Sequence, residues 1–346
     1  MTTHLNKQSV PVNIICGALG AGKTSAIAKL LAGKPTHEFW VVILNEFTDT
    51  GIDTLTLAAA AQSSYDVRMI PGGCLCCTGE QDFRRQLSEL LSPAMLPARI
   101  LIEPSGVGHP GGLIEELRVF ENSGAINLIS TIALIESRRI DELYQLPALM
   151  RDQVDAADVV ILSKAELADA DTRNRFGLWA SALFPSKRFI GFSESGALPP
   201  AALAPPESAP VFSFLRQHRH QHEHIDVEVR EVVVGSVITQ ARAHFYLQRH
   251  ACGWVIPPTL MFDLDTLVMT LNQHALFIHV ERMKAVLRTG LDRWHLLQYW
   301  DSQFEVREIS WRQDSRAEVQ MRANAPANWQ AWDDWLREAA DSTRLG

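Results

Sequence analysis

The chain has 346 residues, enough for two domains that each bury a core. With 47% apolar residues, 21% charged residues and a net charge of -8, it does not have the surface of a nucleic-acid-coating protein. No apolar run reaches transmembrane length and the first residues lack a signal peptide's apolar core, so a cytoplasmic protein with no membrane partner is expected.

Residues 12–16 (Val-Asn-Ile-Ile-Cys) read as a buried strand, and 24–32 as a helix ended by Gly33 and Pro35. Between them, Gly17-Ala18-Leu19-Gly20-Ala21-Gly22-Lys23-Thr24, with Ser25 behind it, fits G-x-x-x-x-G-K-[ST]. The glycines let the backbone curl so that its N–H groups meet phosphate oxygens, and the helix N-terminus adds its positive end. Lys23 is then expected to reach the β- and γ-phosphates, and the Thr24 hydroxyl to bind Mg²⁺. A second strand, 39–44, ends in the acidic loop 45–53, which is either a switch that senses the γ-phosphate or a surface turn.

A third strand, 65–70, runs into Pro71-Gly72-Gly73-Cys74-Leu75-Cys76-Cys77. Three thiols in four residues converge only on a tightly folded backbone, which Gly72 and Gly73 permit. Thiolates are soft ligands suited to Zn²⁺, Cu(I), Co²⁺ or Ni²⁺. Five cysteines in all, so clustered, do not resemble a disulfide framework, and a bond between the adjacent Cys76 and Cys77 would be strained. Ligands of open α/β sheets sit outside the carboxyl ends of the strands, so the P-loop, the 45–53 loop and the cysteine loop should share one edge.

A helix over 81–91 leads to strand 99–103, whose terminal carboxylate, Glu103, has the Walker B arrangement for holding Mg²⁺. Gly106, just beyond, could offer its N–H to the γ-phosphate. Strands 127–134 and 158–162 follow. Then Ser163-Lys164-Ala165-Glu166 stands where guanine-binding proteins carry N-K-x-D, before helix 169–183 and a last strand, 187–190. Residues 198–210 hold five prolines and read as an extended linker. His218, His220, His222 and His224 alternate, as a weak metal site or a solvated polar stretch. Strands 232–238, 254–257 and 280–287 and helices 263–273 and 329–340 make the rest a separate α+β domain. The expected division is 1–198, a linker 199–226, and 227–346.

Together the residues 17–24, Asn45-Glu46-Phe47 with Gly51-Ile52-Asp53, 71–77 and Ile102-Glu103-Pro104-Ser105-Gly106-Val107-Gly108-His109-Pro110 resemble the CobW-type GTPases, a metallochaperone branch of the P-loop GTPases. Cys252-Gly253-Trp254, 280–289 and Asp314-Ser315-Arg316 resemble that family's C-terminal domain, and the likeness is closest to its zinc-associated members. The resemblance implies a mostly parallel P-loop GTPase domain with a smaller C-terminal α+β domain. It implies a GTPase that binds GTP and GDP with Mg²⁺, takes Zn²⁺ at Cys74, Cys76 and Cys77 with Glu46 or a histidine as the further ligand, and delivers it to a client metalloprotein. Cobalt, nickel or iron are alternative cargoes, and a nucleotide- or metal-dependent homodimer is an allowed assembly. The sequence departs from the family at Ser163 and Glu166 of the base motif, and at Thr48 and Asp49, where Gly-Glu is common. A small-metabolite kinase, and a thiol redox sensor with a vestigial P-loop, are the rival readings.

Overall fold

The computed structural model describes residues 9–44, 65–69, 80–92, 96–104, 109–205, 226–234, 236–246, 249–273, 275–300, 303–322 and 327–341. The chain divides into two compact units, one of Met1–Leu183 and Lys187–Glu207, the other of Phe184–Ser186 and Ser208–Gly346.

The first unit is built on a parallel sheet of β1 (Val10–Gly17), β2 (Trp40–Leu44), β3 (Tyr65–Met69), β4 (Arg99–Glu103), β5 (Ile126–Glu136), β6 (Val159–Ser163) and β7 (Phe189–Phe192). Their order across the sheet is β3-β2-β4-β1-β5-β6-β7. Parallel strands covered on both faces read as continuous apolar runs, and every residue of β2 is buried. Alternate side chains separate the two layers. Ile14, Val41, Ile43, Ile100 and Ile102 pack with Phe83 and Leu87 of α2 (Glu80–Leu90) and with Leu113, Ile114 and Leu117 of α3 (Pro110–Asn122). Further along that face, Ala133, Val160 and Leu162 meet Met150 and Val154 of α4 (Ala148–Ala156) and Phe176 and Trp179 of α5 (Ala170–Ser181). On the other face, Ile15, Val42, Leu101 and Ile132 pack with Ala26, Ile27 and Leu31 of α1 (Lys23–Gly33). Ala202 of α6 (Pro200–Leu203) joins that layer. The start of the proline-rich segment is therefore a helical turn rather than extended chain, with Pro200 in the first turn, where a missing N–H leaves no bond unmade.

All seven strands run the same way, so β1, β2, β3 and β4 end at a common edge, with Leu44 level with both Met69 and Glu103. Two strands, β4 and β2, separate β1 from β3. At about 4.8 Å per strand, the chain leaving β3 toward the cysteines starts roughly 14 Å from the end of β1.

The second unit is an antiparallel sheet in the order β13-β12-β11-β14-β10-β9-β8. Its strands are β8 (Asp226–Val234), β9 (Ser236–Tyr246), β10 (Arg249–Ile256), β11 (Val280–Arg288), β12 (Trp294–Trp300), β13 (Gln303–Glu308) and β14 (Ser315–Arg322). The apolar run 232–238, expected as one strand, is split between β8 and β9, which pair as a hairpin, Val234 opposite Ser236. Helices α7 (Leu264–Gln273) and α8 (Trp329–Asp341) cover one face. There Trp254, Phe277, Trp332 and Trp335 form edge-on and tilted contacts with ring centroids 5.1–6.2 Å apart. The buried Asp333 accepts hydrogen bonds from the Trp254 indole at 2.7 Å and from the Gln240 amide at 2.6 Å, which fixes α8 on the sheet. Among the described residues no helix is long and apolar enough to cross a membrane.

Candidate functional site

The turn between β1 and α1 is shaped by its glycines. Gly17, Gly20 and Gly22 have φ of 153°, 81° and 88°, a region open to glycine and strained for other residues. At Gly17 a Cβ would stand 2.7 Å from the Leu134 carbonyl oxygen of β5, whereas at Gly20 and Gly22 it would meet nothing within 4 Å. The first glycine is thus set by close approach of two strands, the others by backbone conformation alone. Gly17→Ala is expected to lower unfolding free energy by about 2–4 kcal/mol, overpacking and backbone strain together. Gly20→Ala should lose only the conformational part, about 1–2 kcal/mol. Chemical denaturation of the two variants checks the ranking, and an equal or reversed ranking would contradict the close approach.

Ala18 and Ser25 flank the turn, Leu19 is 86% exposed at its tip, and Ala21 is buried beneath it. Lys23 is buried, with its ammonium 3.8 Å from Glu103 Oε1 and donating to the Ala18 carbonyl at 3.4 Å. An ammonium has three donors, so this one retains capacity for phosphate oxygens. The Thr24 hydroxyl lies 3.3 Å from each oxygen of the Glu103 carboxylate, which is itself buried. A hydroxyl and a carboxylate side by side are the hard oxygen ligands that Mg²⁺ takes, so these residues fit the ion. Thr24 and Glu103 are 79 residues apart, and the insertion of β4 beside β1 brings them together.

A second group of residues lies at the ends of β6 and β7. The buried Ser163 donates its hydroxyl to the Ile135 carbonyl at 3.3 Å. Lys164 is left-handed at φ 52° and donates to Glu136 at 2.7 Å. The Glu166 carboxylate accepts from the Ser195 N–H at 2.9 Å, and this bond, foremost, holds its pKa below the usual carboxylate range. Glu166 is therefore an ionised acceptor, the state that pairs with an N–H-bearing base edge. The loop over 193–197 was not anticipated from sequence. Its signal was local: Ser195-Gly196 directly after the last strand, with Gly196 left-handed at φ 81° and its Cα so near the Ser25 carbonyl that a Cβ would meet that oxygen at 3.0 Å. It ties the second group of residues to the start of α1.

Gly106, Glu46, Cys74, Cys76 and Cys77, together with the 45–53 loop and His218–His224, lie outside the described residues. The remaining cysteines, Cys16 and Cys252, are fully buried. Burial pushes the Cys16 thiol up to about 12, only partly offset by the nearby Lys23. At pH 8 it stays protonated and sealed from reagent, since the thiolate is the nucleophile. Alkylation of the folded protein at pH 8, read by mass spectrometry, should leave Cys16 and Cys252 unmodified. Rapid labelling of Cys16 without denaturant would contradict its burial.

The nucleotide-binding domain of the CobW/HypB/UreG family matches residues 11–190. The zinc chaperone YeiR of Escherichia coli (strain K12) is 32% identical over 336 residues, covering 92% of this chain and 94% of its own. The zinc chaperone CobW of Sinorhizobium sp is 30% identical over 197 residues, 49% of this chain and 54% of its own. Among solved structures, the Zn(II)-bound YjiA GTPase from E. coli aligns with a TM-score of 0.43 at 16% identity, covering 96% of this chain and 98% of that one.

Proposed function

The chain belongs to the CobW/HypB/UreG family and is a GTPase metallochaperone of it, and we propose that it binds Zn²⁺ through Cys74, Cys76 and Cys77 and passes it to a client metalloprotein under nucleotide control. The observation that carries the nucleotide half is the convergence of Lys23, Thr24 and Glu103 at the carboxyl edge of the parallel sheet. The backbone N–H groups of residues 17–25 cradle the phosphates, and Lys23 neutralises the charge that spreads over them as the terminal phosphoryl group leaves. Thr24 and Glu103 hold Mg²⁺, which when bound draws charge from the β- and γ-phosphates. The Gly106 N–H contacts the γ-phosphate, while Ser163, Lys164 and Glu166 face the base. Glu166 keeps the carboxylate that pairs with the guanine N–H edge, one methylene longer than the usual aspartate.

The metal half rests on chemistry and topology. Three thiolates and one carboxylate, Glu46, make a four-ligand set suited to Zn²⁺. The strands that lead to Glu46 and to the cysteines are β2 and β3, whose carboxyl ends share an edge with β1 and β4. A ligand set reached from that edge is close enough to respond to the nucleotide through the intervening loops. The test is metal content and Zn²⁺ affinity of the purified protein, with and without a GTP analogue, alongside a variant with the three cysteines changed to serine. A protein that hydrolyses GTP yet binds Zn²⁺ equally well without those thiols would overturn the assignment of the metal site.

A further inference from the structure

The geometry points to Arg173 as a positioning residue for purine recognition: it locks the loops after β6 and β7 to each other, and so sets how strongly the site prefers guanine to adenine. This rests on the GTPase reading above. Arg173 stands near the start of α5, a helix opened by Asp169, whose carboxylate accepts from the Thr172 N–H at 2.8 Å. Its Nη2 donates to the Ala165 carbonyl at 2.7 Å and to Glu194 Oε1 at 2.7 Å. Its Nε reaches the Ala168 carbonyl at 3.4 Å, and the guanidinium lies over the Phe192 ring, 5.5 Å from its centroid.

The pattern of these contacts is what gives them meaning. Ala165 precedes Glu166, and Glu194 precedes Ser195. One guanidinium therefore grips each loop one residue before the Glu166–Ser195 contact of 2.9 Å. The same loops are joined by the Ala165 N–H donating to the Ser193 carbonyl at 3.0 Å. Each also carries a non-glycine residue in the left-handed region, Lys164 at φ 52° and Ser195 at φ 48°. Such conformations persist only where the surroundings over-determine them. Glu166 has one more rotatable bond than an aspartate, so its Oε1 points in a defined direction only while Ser195 anchors Oε2. Without Arg173 the two loops lose a shared anchor, Ser195 can relax, and Glu166 gains rotamers. Base selectivity then falls, whereas none of the contacts Arg173 makes is to the phosphate cradle at 17–25. Lysine substitutes only in part: an ammonium can make the two bonds that Nη2 makes, but it lacks the planar face that lies over Phe192 and the Nε–H that reaches Ala168.

The experiment uses the full chain. GDP and ADP affinities are measured by displacement of a fluorescent GDP analogue, and inorganic pyrophosphate serves as the probe of the phosphate cradle. For Arg173→Gln the GDP-to-ADP affinity ratio should fall about tenfold, the scale of one or two hydrogen bonds, with pyrophosphate affinity within about twofold of wild type. Glu194→Gln, which weakens one arm of the brace at an exposed site, should lower the ratio about threefold, and Arg173→Lys should fall between wild type and Arg173→Gln. A ratio unchanged in Arg173→Gln, or a parallel loss of pyrophosphate binding, would overturn the role assigned to Arg173. If Arg173→Gln does not fold, Glu194→Gln decides by the same two criteria. A wild-type protein with no preference for GDP over ADP would instead bring down the guanine reading itself, and Arg173 with it.

Discussion

Lys23→Ala is expected to reduce GTP hydrolysis by at least about 10²- to 10³-fold, roughly 3–4 kcal/mol of transition-state stabilisation. Lys23 is buried at the base of the P-loop and lies 3.8 Å from Glu103, so its charge acts where water screens little. Some fold stability is lost as well, because Glu103 is buried and the ion pair to it, loose as it is at 3.8 Å, goes with the ammonium. Single-turnover hydrolysis and thermal unfolding of the same sample separate the two effects. Turnover near wild type would remove Lys23 from the site, and unfolding of the variant would reassign it to structure.

Zn²⁺ affinity is expected to differ between the GTP-analogue and GDP forms by about 5- to 150-fold, the 1–3 kcal/mol range typical of coupled sites. The sheet order explains why coupling must pass through the chain. With β4 and β2 between β1 and β3, the cysteine-bearing loop begins roughly 14 Å from the P-loop turn, too far for a shared ligand. The two strands between them end in Glu103 and in the loop that carries Glu46. In the proposed arrangement each intervening strand leads to a residue of one site and lies beside a strand leading to the other, and a tetrahedral set tolerates little displacement of a ligand. Linkage is reciprocal, so Zn²⁺ must change GTP-analogue affinity by the same factor. Titration of Zn²⁺ against a competing chelator, in both nucleotide states, gives the factor. Equal affinities, with the cysteines shown to be ligands, would leave two independent sites and no delivery cycle. Serine at all three cysteine positions should abolish tight binding altogether, because hydroxyls do not replace soft thiolates on Zn²⁺.

What the sequence determined by itself was local. The β-branched run of β1, three glycines and Lys23-Thr24 specify strand, turn and helix start within fifteen residues, since glycine spacing and apolar runs are properties of neighbouring positions. The acid at the end of β4 and the carboxylate of Glu166 were legible for the same reason, the first closing a short buried strand and the second following one by three residues. Helices α3 and α4 and strands β12 to β14 were not, because their mixed polar and apolar patterns gain meaning only from the layer they cover. The tyrosine- and tryptophan-rich strand β12 takes its register from β11 and β13 rather than from its own composition. Tertiary structure alone decided which strands are neighbours. An apolar strand encodes its period and its burial, not its partner, so the placing of β4 between β2 and β1, and with it the approach of Glu103 to Thr24, follows from how the crossover helices pack. The contacts of Arg173 with Ala165 and Glu194 arise likewise, because side chains distant in sequence meet only once β6, β7 and α5 share a common edge.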